Sequence, residues 1–123
     1  MRDLIFVSDR HRDFFGQNMA RVRNDSYHKA LFYLPGVSEE TRRHIESLFD
    51  YDEDAIRPEG LAEDWQTSGA GCLSRFAFNL WKGYTGHGQE QNYTPYDLFA
   101  RGFAPYMEEG IMLRYPEYFR NDS

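Results

Sequence analysis

The stretch GAGCLSRFAFNLW, residues 69–81, constrains this chain more than any other part of it. Wound at about 100° per residue, Cys72, Leu73, Phe76, Ala77 and Leu80 take one side of a helix, while Phe78 and Trp81 take the other. A helix apolar nearly all round is a buried one, because either face left in water would expose large aromatic side chains. Its ends are marked as well. Thr67 or Ser68 can cap the start, Lys82 falls in the last turn, and Gly83 follows where a helix favours glycine. The pattern predicts a buried central helix over about 68–82.

Shorter segments with helical spacing flank it. Ser8 can cap a first helix carrying Phe14, Phe15, Met19 and Val22 on one broad face, weakened by Gly16. Asp25 opens a second, with Tyr27, Ala30, Leu31 and Leu34 in register until Pro35-Gly36 stops it. Ser38 opens a third, with Glu39 and Glu40 in its first turn and Ile45, Leu48 and Phe49 as its apolar face. Arg57-Pro58-Glu59-Gly60 reads as a turn, and Tyr84 to Asn92 as a glycine-rich surface loop. Thr94-Pro95 starts a short helix through Tyr96, Leu98 and Phe99, and a last helix runs from about Pro105 to Tyr115. Only Leu4 to Val7 looks like a strand, and one strand makes no sheet. The expected fold is all-α: a single helical domain over residues 1–123, with about five or six short helices round the central one.

Bulk properties narrow the function classes. Aromatic residues make up 17% of the chain, far too many for a disordered protein, so they must supply much of the core. A lone cysteine, Cys72, excludes an internal disulfide. The first apolar run is four residues long, and no stretch approaches a membrane span, so a cytoplasmic protein without membrane contact is expected. Charge is uneven: residues 1–43 hold eight basic against six acidic side chains, and residues 44–123 hold six against fourteen. That balance disfavours nucleic acid, which asks for a basic footprint, and suits a basic partner. The one basic surface candidate, Arg10, Arg12, Arg21, Arg23, Arg42 and Arg43, is interleaved with Asp9, Asp13, Asp25 and Glu39-Glu40, so a DNA-binding regulator ranks low.

No catalytic set stands out. Asp50, Asp52 and Asp54 have the spacing that opens a calcium loop, but Ala55 replaces the required glycine and Leu61 the closing glutamate. The run Asp50-Tyr51-Asp52-Glu53-Asp54 is therefore read as a solvated acidic turn, and as the surface for a partner. His11, His28, His44 and His87 show no metal-ligand spacing, and no metal or cofactor is assigned. Cys72 lies in the apolar stripe, where a thiol is an inert small hydrophobe. QTSGAG lacks the order of a nucleophile elbow or a phosphate loop. Arg75 and Asn79, one turn apart on the buried helix, admit two readings. They form an internal tie, with Asp64 or Asp97 accepting from Arg75, or they line a small-ligand or enzyme pocket with Trp65, Gln66, Thr67 and Ser68.

The segments ALFYLPG (30–36), WQTSG (65–69), RFAFNLWKGY (75–84) and YTPYDLF (93–99) together resemble a small uncharacterised family of Firmicutes and phage proteins. The resemblance implies a bacterial or prophage setting and one small domain, and brings no catalytic residues. The leading expectation is a non-enzymatic protein-binding module. Its narrower form is an inhibitor of a host or phage enzyme, such as a defence nuclease, whose nucleic-acid channel an acidic surface can occupy. Exposed tyrosines beside acids, Tyr51 and Tyr106, are the expected contacts.

Overall fold

The structure is a computed structural model, and it describes residues 4–84 and 102–118. The expected loop after Tyr84, the helix start at Thr94-Pro95, His87, Asp97 and the side chain of Ser68 lie outside the described residues. The chain is mainly helical, as the periodicity predicts. Helix α1 spans Asp9–Met19 and α2 spans Ser26–Tyr33. Ser8 and Asp25 cap them, accepting the backbone N–H of His11 and His28 respectively. A 3-10 turn over Pro35–Val37 carries α2 onward. There Gly36 lies so close to α1 that a Cβ would sit 2.6 Å from the His11 ring and 2.9 Å from Phe14.

The expected third helix is two. Helix α3, Glu39–Arg43, ends at His44, whose φ of −110° and ψ of 26° leave the helical region, and α4 resumes over Ile45–Leu48. Phe49 then leaves the helix altogether. Phe49–Asp50 (β1) pairs antiparallel with Ala55–Ile56 (β2), Phe49 opposite Ile56, so the acidic run becomes the turn of a hairpin. Two-residue strands are too short to show alternation in a sequence. The stretch read as a turn at Arg57–Gly60 is a 3-10 helix over Pro58–Ala62. Leu4–Val7 is not a strand; the Tyr33 hydroxyl donates to the Ile5 carbonyl at 2.6 Å and fastens it to α2.

The buried helix, α5, spans Ser68–Lys82. Thr67 caps its start, and Gly83 ends it in the left-handed conformation at φ 76°. Helix α6, Ala104–Arg114, follows with a 3-10 turn over Pro116–Tyr118. Nearly all of α5 is buried, with Arg75 and Asn79 forming its half-buried edge. Helix α2 shares the centre, packing on α1, α5 and α6. Its consecutive residues Ala30, Leu31, Phe32, Tyr33 and Leu34 are all 0–1% exposed, so no face of its last turn meets water. Arg114 of α6 locks the three together: its Nε donates to the Leu80 carbonyl at 2.7 Å and its guanidinium lies 3.8 Å over Tyr27.

Candidate functional site

The acidic residues 50–54 are gathered at the hairpin turn and fixed from three directions. Asp50 Oδ1 accepts the backbone N–H of Asp52 and of Glu53, both at 3.0 Å, which shapes the turn. Tyr51 folds back: its hydroxyl donates to Asn18 of α1, and the Arg21 guanidinium lies 3.6 Å over its ring. Burial pushes the Tyr51 phenol up, with Arg21 opposing and Glu46 adding. Asp54 closes the turn with φ 55°, and its carboxylate meets His28 Nε2 at 2.7 Å. Asp52 and Glu53 are left exposed at the tip. A two-stranded hairpin has little stability of its own, so these ties set its shape.

His28 is the centre of the third tie. Its ring is buried at 3% exposure and stands edge-on to Trp81, centroids 4.9 Å apart, and to Phe49 at 6.2 Å. Its Nδ1 lies 2.8 Å from Asp25 Oδ1, so the imidazole bridges the cap of α2 and the end of the hairpin turn. Burial works to raise the Asp25 carboxyl. The backbone N–H and ring of His28, joined by Arg23, outweigh it and hold Asp25 below the ordinary carboxylate value. Beside the bridge lies a cavity of about 350 Å³, with Arg23, Tyr27 and Lys82 on its wall. On the hairpin's other side, Arg21, Glu46, Asp52 and Arg57 border a cavity of about 220 Å³.

The second set of sequence-predicted residues is distributed over different surroundings. Trp65 stacks on His44 at 4.4 Å and donates its indole N–H to Glu63 at 2.5 Å. That bond and one from Ser47 hold Glu63 below its ordinary value; burial opposes them and the charge of His44 adds to the lowering. Gln66 turns inward, donating to the Gly60 carbonyl at 3.0 Å and accepting from buried Ser74 at 3.3 Å. Thr67 accepts the Ala70 N–H as the helix cap. Arg75 Nη2 approaches Cys72 Sγ at 3.4 Å, and Asn79 donates to the Tyr84 carbonyl at 3.3 Å. Gln66 and Thr67 thus hold the entry to α5, while Trp65 belongs to a surface stack with His44.

His28 and Asp25 are functional candidates that spacing alone did not select. A signal was present: Asp25-x-x-His28 puts the histidine three residues after the cap, where a side chain reaches back to the cap residue. The partnership with Asp54, 26 residues on, has no local signal. Among the described residues no group of three His, Cys, Asp or Glu side chains is arranged to hold a metal ion. No helix among them is long and apolar enough to cross a membrane.

Fold and site together define a small, mainly helical domain that carries an acidic hairpin fastened by a histidine between two carboxylates. The chain belongs to a family of unknown function, DUF6075, whose model matches residues 1–123. No curated protein matches it, and no solved structure does.

Proposed function

We propose that this protein is a protein-binding module whose contact surface is the acidic hairpin tip, and that its partner presents a basic face. The observation that carries the reading is the preorganisation of the tip. Asp52 and Glu53 project from a turn held by Asp50, by Asn18 and Arg21 through Tyr51, and by His28 through Asp54. A contact loop already in its bound shape loses little conformational entropy on docking. The net charge of −6 adds long-range attraction for a basic partner. A partner with a nucleic-acid channel, such as a nuclease, fits this charge pattern, and the protein then acts as its inhibitor. The WQTSG and RFAFNLWKGY segments support a bacterial or phage setting, and residues 1–123 are read as one domain in the cytoplasm.

The test is capture from a lysate of the native host with the tagged full chain and with the double variant Asp52→Lys, Glu53→Lys. Both substitutions are at exposed positions, so the fold is retained. The native chain enriches a basic protein that is released by moderate salt, and the variant loses it. Equal recovery by both chains, or recovery by neither, contradicts the reading.

A further inference from the structure

His28 joins two carboxylates that belong to different parts of the fold. Asp25 is the cap of α2, while Asp54 lies at the end of the exposed turn between β1 and β2. A carboxylate oxygen only accepts, so the contacts at 2.8 Å and 2.7 Å are both hydrogen bonds only while both ring nitrogens carry protons. We propose that His28 is a proton-operated latch on the acidic hairpin: the doubly protonated ring fastens the turn to α2, and loss of one ring proton releases Asp54. Its consequence for docking rests on the reading of the hairpin as the contact surface. The latch itself operates without a partner.

The two sides of the latch are unequal, which decides where it opens. Asp25 Oδ1 also accepts the backbone N–H of His28 at 2.9 Å, so withdrawing it uncaps α2. Among the described residues Asp54 caps no helix, and its side chain is 59% exposed against 31% for Asp25. The remaining proton therefore stays on Nδ1 facing Asp25. The Nε2 lone pair then faces the Asp54 oxygen, and the contact turns repulsive. Asp54 sits at φ 55°, a left-handed conformation that aspartate tolerates in turns.

The charged and titratable groups round the ring come from every neighbouring element. Asp25 and Tyr27 come from α2 and its cap, Arg23 from the preceding loop, Asp54 from the hairpin, and Lys82 from α5. Two carboxylates contact the ring directly, and two cations, Arg23 and Lys82, stand on the cavity wall. Phe49 and Trp81 close the apolar sides. The cavity of about 350 Å³ that reaches the ring gives the departing proton a path to water.

The test follows the ring nitrogens of His28 and the amides of Glu53, Asp54 and Ala55 by NMR on the full, ¹⁵N-labelled chain from roughly pH 5 to 8. The amide shifts trace the same titration curve as the ring. In Asp54→Asn the ring still titrates but the hairpin amides no longer follow. In Asp52→Asn, on the same turn and not in contact with the ring, they follow as in the native chain. The proposal is overturned by a ring that keeps one protonation state throughout, by hairpin amides that ignore the ring, or by coupling that survives in Asp54→Asn. Intact coupling in a chain that captures no partner supports the latch and removes the docking reading alone.

Discussion

His11 and His28 occupy the same place, three residues after the cap of their helices, yet their surroundings give them opposite roles. His11 Nδ1 accepts the Val7 N–H at 3.1 Å, so Nε2 donates to the Tyr33 carbonyl at 2.8 Å and the ring is neutral. Burial lowers its pKa from 6.5, the Tyr33 carbonyl opposes, and Arg42 adds to the lowering. A folded-state pKa below the unfolded one gives stability that is present above 6.5 and lost as pH falls through the folded value. The melting temperature of the native chain therefore drops as pH falls below 6.5, and His11→Gln shows a shallower drop. Equal slopes for the two proteins contradict this role. Asp25 predicts another outcome at this scale. Asp25→Ala removes the cap of α2 and one support of His28, and urea denaturation reads a loss of about 1–2 kcal/mol.

Among the elements, α2 carries the fold although it has only eight residues. Phe32 is fully buried and packs edge-on to Phe49 at 5.1 Å, so Phe32→Ala costs about 3–5 kcal/mol in urea denaturation. Two glycines on helices predict opposite signs under the same substitution. Gly83 sits at φ 76°, so Gly83→Ala destabilises by about 1 kcal/mol. Gly16 lies inside α1 with nothing within 4 Å of a built Cβ, so Gly16→Ala stabilises by about 0.5–1 kcal/mol. Both read as shifts in melting temperature. The starts of α1, α2, α3 and α5, and the stop at Gly83, were legible because caps and glycine act locally. The hairpin was not, since two-residue strands have no period and the pairing of Phe49 with Ile56 needs a turn that long-range ties hold. Arg75 and Asn79 looked anomalous on an apolar helix, and they mark its half-buried edge. Of the site, the acidic run was visible as composition, but the bond from Asp54 to His28 spans two elements and leaves no trace in spacing.

At the scale of the whole molecule, four basic residues of the N-terminal half are engaged within the chain. Arg12 pairs with Asp9, Arg43 with Glu39, Arg42 donates to the Gly36 carbonyl, and Arg21 covers Tyr51. Asp52 and Glu53 remain exposed on a fastened turn. Docking at the hairpin tip is tested most directly by the amide shift map of the labelled chain on addition of the purified captured protein. Changes are expected to centre on residues 50–54, to weaken steeply with salt and to be absent from the Asp52→Lys, Glu53→Lys variant. Changes centred instead on Trp65, Arg75 and Asn79, or along Arg10 to Arg23, with the hairpin amides unmoved, would contradict docking at the tip.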